Sequence, residues 1–280
     1  MINREYKDRL FSFIFGKAEN RVWTLSLYNA VNESNYTDPN DIEITTMGNT
    51  IYMGMKNDLS FILYDYMNLY AHQSTYNPNM PLRELIYTGH IYAKYVNSRK
   101  LNIYGNRQLI IPIPKIIVFY NGKQDSPDEV ILELKDAFPA DIDVEESDIQ
   151  LRVRMLNINY DHNKRIMSLC KPLTEYSWFI ENVRKNKDND MEIEDAVNKA
   201  LSDMPDDFQI KDYIISNKAE VVTMCITEYN EVETMEAFKE EGREEGREEL
   251  IEELLKDGTI TPEKAALLLH KSTEECHDGK

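Results

Sequence analysis

Residues 55–83 read MKNDLSFILYDYMNLYAHQSTYNPNMPLR. Two runs rich in apolar and aromatic side chains, 58–63 and 67–73, flank Tyr64-Asp65-Tyr66, which is the pattern of a β-hairpin. With Asp65 and Tyr66 as a two-residue turn, Tyr64 stands opposite Met67, Ser60 opposite Ala71 and Asp58 opposite Gln73. Side chains alternate along strands, so positions 58, 60, 71 and 73 share one face. Leu59, Phe61 and Leu63 point the other way, into a core. Register matters here, because a slip of one residue turns every side chain to the opposite face.

Working outward, residues 17–32 carry apolar side chains at helical spacing, with Val22, Trp23, Leu27, Tyr28 and Val31 prominent. Strands are expected at 42–46 and 50–55, with Gly48-Asn49 as turn material. After the hairpin, Pro81 opens a helix whose buried stripe is Leu82, Leu85, Ile86, Gly89 and Tyr92. Strands follow at 109–113 and 115–120, the second apolar enough to be central. Residues 131–134 and 151–158 read as edge strands separated by the acidic loop 141–148. Beyond Cys170 the pattern turns helical at 176–184, 192–201, 210–217 and 221–229, with 185–190 as a linker. Residues 236–255 hold Glu-Glu-Gly-Arg twice and read as a charge-laced surface helix without an apolar seam. Thr261-Pro262-Glu263 caps a last short helix, 264–269. This order predicts an α/β fold: a mixed central sheet flanked by helices, followed by an acidic helical C-terminal region.

The net charge of −18 argues against a nucleic-acid enzyme until its distribution is read. Residues 1–125 hold 13 Lys plus Arg against 11 Asp plus Glu, which is +2. Residues 126–280 hold 19 against 39, which is −20. The half carrying the hairpin is therefore near neutral and permits weak DNA binding. Cys170, Cys225 and Cys276 have no metal-binding spacing, and their odd count fits a reducing cytoplasm. The apolar run 10–15 is too short for a signal peptide or a membrane span, so a soluble protein is expected. Motifs for zinc, for a phosphate-cradling loop and for a serine nucleophile are absent. The 17 tyrosines read as core and interface packing rather than base-stacking platforms.

Asp58, then Gln73-Ser74, then Pro81-Leu82-Arg83 opening a helix resemble, in order, the signature of the recombination-promoting nuclease and putative transposase family. That family is a branch of the PD-(D/E)XK nucleases. Tyr36-Thr37-Asp38-Pro39, Asn121-Gly122 and Leu173-Thr174-Glu175-Tyr176-Ser177 match as well, so the similarity spans most of the chain. The resemblance implies a restriction-endonuclease-like core at 1–170, a helical region at 171–235 and acidic C-terminal helices at 236–280. It also implies a Mg²⁺- or Mn²⁺-dependent DNA endonuclease of little sequence preference, linked to recombination, mobile elements or phage defence. A homodimer is expected, with no membrane and no small-molecule organic cofactor.

One position departs from that pattern: the family Glu falls where this chain has Ala71. Such folds hold Mg²⁺ by one or two carboxylates, and the metal polarises the phosphate and acidifies the attacking water. Asp58 supplies one carboxylate, whereas Ala71 supplies a methyl group. The chain is thus expected to be inactive or crippled, and the intact surroundings favour a deliberate Glu-to-Ala change over decay. Implied catalytic positions are Asp58, Ala71 and Gln73; implied metal positions are Asp58, Ala71 and the backbone carbonyl of His72. Gln73 orients water or phosphate, or else makes a cross-strand hydrogen bond. Lys56, Ser74 and Arg83 are the DNA-contact candidates, with Arg83 alternatively clamping Glu43 or a partner's Glu84. The competing expectation is a non-catalytic DNA- or partner-binding regulatory protein on a degenerate nuclease fold.

Overall fold

The computed structural model describes residues 10–46, 59–139 and 147–227, with scattered positions between 243 and 268. The chain divides into two units, residues 1–228 and 229–280, and the first holds every feature described below. Asp58, Lys56, the strand expected at 50–55, most of the acidic loop, and the C-terminal helices expected at 236–255 and 264–269 lie outside the described residues or are only sparsely covered.

The described chain opens with a short helix, α1 (Leu10–Phe15), whose apolar residues Leu10, Phe11, Phe13, Ile14 and Phe15 are all buried. Helix α2 (Arg21–Asn32) buries Leu25, Leu27, Tyr28 and Val31 and stops at Glu33, whose left-handed backbone returns its N–H to the Asn29 carbonyl. Val22, one of the apolar residues read at helical spacing, is 62% exposed, because the core lies on the side of Leu25 and Tyr28.

Strands β1 (Ile42–Ile44), β2 (Leu59–Leu63) and β3 (Tyr66–Gln73) then form an antiparallel meander. The turn between β2 and β3 is Tyr64-Asp65, not Asp65-Tyr66. Leu63 pairs with Tyr66 and Ser60 with Leu69, a shift of two residues from the expected register. Because the shift is even, every described residue of the hairpin keeps the face expected for it. Tyr64 takes φ 52°, the left-handed value a tight hairpin needs at its first turn position. Its side chain is held from outside the hairpin, by a hydrogen bond to Asp41 and ring contact with Tyr36.

Helix α3 (Met80–Ser98) crosses back, and β4 (Ile113–Tyr120) runs parallel to β3. The strand expected at 109–113 does not form; Ile113 begins β4 and residues 101–112 are loop. Strand β5 (Glu129–Glu133) is an edge, but β6 (Arg152–Asn157) lies inside the sheet between β4 and β5. The six strands thus order as β1-β2-β3-β4-β6-β5, a mixed open sheet with a parallel centre.

Helices α4 (Lys164–Leu169), α5 (Lys171–Asp188), α6 (Ile193–Ser202) and α7 (Lys211–Ser216) follow, and 218–227 is helical again. The expected linker at 185–190 is largely the last turn of α5. One face of the sheet, through Leu59, Phe61, Tyr70, Ile117, Phe119 and Leu156, packs on α1, α2 and α4–α7 in the main core. The other face is covered by α3 through Met80, Tyr87 and Ile91.

That choice of helix face overturns the stripe expected for α3. Leu82 and Ile86 are 47% and 43% exposed, while Met80, Glu84, Tyr87, Thr88 and Ile91 are buried. Both sets recur at helical spacing; Met80, seated in one cluster with Ala71 and Tyr120, selects the second.

Candidate functional site at the carboxyl edge of the sheet

Strands β3, β4 and β6 are parallel, so Gln73, Tyr120 and Asn157 end at the same edge. The carboxyl edge of parallel strands is where open α/β sheets place their ligand sites. Asn121 N–H donates to the Gln73 carbonyl at 2.9 Å, and Ile158 N–H to the Tyr120 carbonyl at 2.8 Å, holding the chain ends together past the strands.

On the α3 side of β3 lie Ala71 and Gln73. Ala71 is 1% exposed and packs with Met80, Val118, Tyr120 and Met155. Gln73 is buried at the strand end, and Arg83 Nη1, in the first turns of α3, lies 3.5 Å from its Oε1 and 3.4 Å from Met80 Sδ. Three of the sequence candidates, Ala71, Gln73 and Arg83, are therefore gathered around Met80. Ser74 is half-buried beside them. Glu43, the alternative partner for Arg83, instead pairs with Arg99.

Ser74 explains a glycine. A Cβ at Gly122 would collide with the Ser74 carbonyl oxygen and the Tyr120 hydroxyl. The Asn121-Gly122 dipeptide thus lets the chain leaving β4 press against the chain leaving β3.

His72 points to the opposite face, as alternation requires. Its Nε2 is 3.0 Å from the Tyr176 hydroxyl, and its ring stacks on Phe11 with centroids 5.3 Å apart.

Glu84 was given no place at this site by the sequence beyond that of a carboxylate for an arginine to clamp. It is 1% exposed on the covered side of α3, one turn after Met80 and one before Tyr87 and Thr88. Met80 clusters with Ala71, and Tyr87 with Met67 and Leu69. Those neighbours bracket Glu84 over the middle of β3. The signal was present in the sequence as an acid inside an alternative apolar stripe of the same period.

The same edge carries a second polar cluster. A cleft of about 370 Å³ is lined by Gly122, Asn157, Asn159, His162 and Arg184, among others. His162 Nδ1 lies 2.8 Å from Asp128 Oδ1, and the contact holds the Asp128 carboxyl below its ordinary range. Arg184 donates to Asn159 Oδ1 at 2.9 Å and to the Asn121 carbonyl, and Asn159 Nδ2 donates to the Gly122 carbonyl at 3.0 Å.

A hard cation needs several oxygen donors. Among the described residues no group of three or more His, Cys, Asp or Glu is assembled. Ala71 is set among Met80, Val118 and Tyr120, with the Gln73 amide two residues on. That set does not, among the described residues, amount to a Mg²⁺ or Mn²⁺ site. No family model, curated protein or solved structure matches the chain. What fold and edge define together is an α/β protein with a mixed, open six-stranded sheet flanked by helices.

Proposed function

We propose that this chain is a DNA-binding protein on a PD-(D/E)XK-type scaffold whose phosphodiester-hydrolysing centre is disabled at Ala71. The observation that carries the reading is the meeting of Ala71, Gln73 and Arg83 at the start of α3. Two segments of the nuclease signature, the end of β3 and the start of α3, meet there. The parallel β3-β4-β6 centre and the carboxyl-edge position support it further.

With Glu at position 71, a divalent cation bound there would supply Lewis-acid polarisation of the phosphate and an acidified water. In this chain Arg83 would hold a phosphate oxygen, and the Gln73 amide would orient the group beside it. Plasmid nicking in the presence of Mg²⁺ or Mn²⁺ tests the reading. Ala71→Glu is expected to raise cleavage by orders of magnitude, and a further Asp58→Ala change to abolish the gain. Glu84→Gln in the same restored background should lower cleavage while leaving DNA affinity intact. A restored protein inert on supercoiled, linear and single-stranded DNA removes the nuclease reading.

The second reading, a non-catalytic DNA- or partner-binding regulatory protein on a degenerate nuclease fold, is favoured by the apolar packing of Ala71 and by the −20 charge after residue 125. It predicts DNA binding that Ala71→Glu leaves without cleavage.

A further inference from the structure

Between Glu84 and Asp125 the chain contains no acidic residue, while it holds Lys94, Arg99, Lys100, Arg107, Lys115 and Lys123. In a protein of net charge −18 such an island stands apart. Its middle is the loop joining α3 to β4. There Tyr104 is 91% and Ile110 93% exposed, with Ile103, Ile111 and Ile113 also exposed.

The loop is built, not slack. Leu101 N–H donates to the Val96 carbonyl at 2.9 Å, and Tyr104 N–H to Asn102 Oδ1 at 3.0 Å, which turns the tip at Asn102 to Gly105. At the far end, Tyr92 hydroxyl donates to the Pro112 carbonyl at 2.6 Å and Ile113 N–H to the Asp65 carbonyl at 2.7 Å. A fastened loop that holds apolar side chains in water marks an interaction surface.

Its charges identify the occupant. Arg99 is paired with Glu43, and Lys94 donates to the Thr45 and Thr46 carbonyls. The nearby Asp41 is taken by the Tyr64 hydroxyl. Lys100 and Arg107 are exposed, and no ion pair joins either to a carboxylate among the described residues. Two cations flanking an outward-facing tyrosine suit a polyanion with open π-faces.

We propose that residues 100–111 bind single-stranded DNA, with Tyr104 stacking on a base and Lys100 and Arg107 meeting the adjacent phosphates. The proposal rests on the DNA-binding reading above and adds a place for the strand remote from the reaction edge. Ile113 pairs with Tyr66 and Tyr120 with Gln73, so the loop and Gln73 are separated by the length of β3, about 23 Å. Roughly seven nucleotides of a strand stacked at about 3.4 Å each span that distance.

Fluorescence anisotropy with a labelled single-stranded oligonucleotide and its duplex tests this, using the full chain. Tyr104→Ala is expected to weaken single-strand binding about 5- to 100-fold and duplex binding far less. Lys100→Gln with Arg107→Gln should reduce the slope of log affinity against log salt by about 1.4, the value for two phosphate contacts on a single strand. All three side chains are exposed, and far-ultraviolet circular dichroism would verify that the variants fold. If the unaltered protein binds no DNA, the DNA-binding reading and this inference fall together. If it binds and the variants match it in affinity and salt slope, the loop assignment alone is overturned. It is equally overturned if the variants keep DNA binding but lose affinity for phosphatidylserine vesicles or change mass by light scattering, which would make the loop a membrane or self-association face.

Discussion

Ala71 is a methyl group in a space that its neighbours have closed. Met80, Val118 and Tyr120 pack around it, so a Glu side chain there must displace apolar atoms and bring a carboxylate with it. Ala71→Glu is therefore expected to cost about 1–3 kcal/mol in urea denaturation without divalent metal. Addition of Mg²⁺ should recover part of the loss if the new carboxylate helps to hold an ion; a melting curve indifferent to Mg²⁺ would argue that it does not. On the opposite face, Tyr176→Phe removes the hydroxyl that meets His72 Nε2 in the core. A loss of about 1–3 kcal/mol is expected, with DNA affinity unchanged. Asp128 has the opposite exposure. His162 holds its carboxyl below the ordinary range, so its contribution to stability exists above the unfolded value and disappears as pH falls through the folded one. The difference in urea midpoint between the unaltered protein and Asp128→Asn should be present at neutral pH and close below about pH 4.

At the scale of the element, the segment Leu173 to Ser177 shows how a motif becomes architecture. Thr174 donates to the Met167 carbonyl at 2.7 Å, Ser177 to the Ile158 carbonyl at 2.7 Å, and Leu173 and Tyr176 fill the core. Glu175 accepts the N–H groups of Gln209 and Ile210 at 2.9 and 3.0 Å, a carboxylate placed at the start of α7. Burial raises the Glu175 pKa against the pull of those two donors. The five residues fasten α5 to α4, to the end of β6 and to α7, and none of them faces the Ala71 side. Gly122 does comparable work between β3 and β4. Gly122→Ala is expected to cost about 1–3 kcal/mol and to loosen Ser74, which limited proteolysis after β3 would detect. A variant as stable and as protease-resistant as the parent would mean the two strand ends yield easily. The hairpin teaches a related point: its faces were legible because the side-chain period is two, but its turn was not. Tyr64 takes the left-handed φ that the two-residue turn requires, and Asp41 and Tyr36, more than twenty residues earlier, hold its side chain there.

For the whole molecule, charge is the organising quantity. The basic island from 85 to 124 sits in a chain whose last 45 residues, 236–280, hold 7 Lys plus Arg against 14 Asp plus Glu. Acidic residues in that number compete with phosphate for Lys and Arg. Deleting 236–280 is expected to raise DNA affinity at low salt, an effect that shrinks as salt screens both competitors. Equal affinities of the full and shortened chains across salt concentrations would remove any regulatory part for the acidic tail. No helix among the described residues is long and apolar enough to cross a membrane.

Periodicity and covalent chemistry acted locally, and so the sequence by itself determined α2, α3, α5, α6 and α7, the mixed sheet, the faces of β2 and β3, and the absence of a carboxylate at Ala71. The short helices α1 and α4 carried too few turns to show a period. Choices between equivalent patterns belonged to the tertiary structure. Leu82-Leu85-Ile86-Gly89 and Met80-Glu84-Tyr87-Ile91 are both sound helical stripes, and packing of Met80 against Ala71 and Tyr120 chose the one that buries Glu84. Residues 109–112 have the composition of a strand, yet they lie between the Asn102 turn and the start of β4 and remain a loop. His162 with Asp128, and Arg184 with Asn121 and Asn159, come together across 34, 63 and 25 positions of sequence. No pattern of fixed period encodes such meetings; they exist because three parallel strands end at one edge and their following loops must satisfy one another's polar groups there.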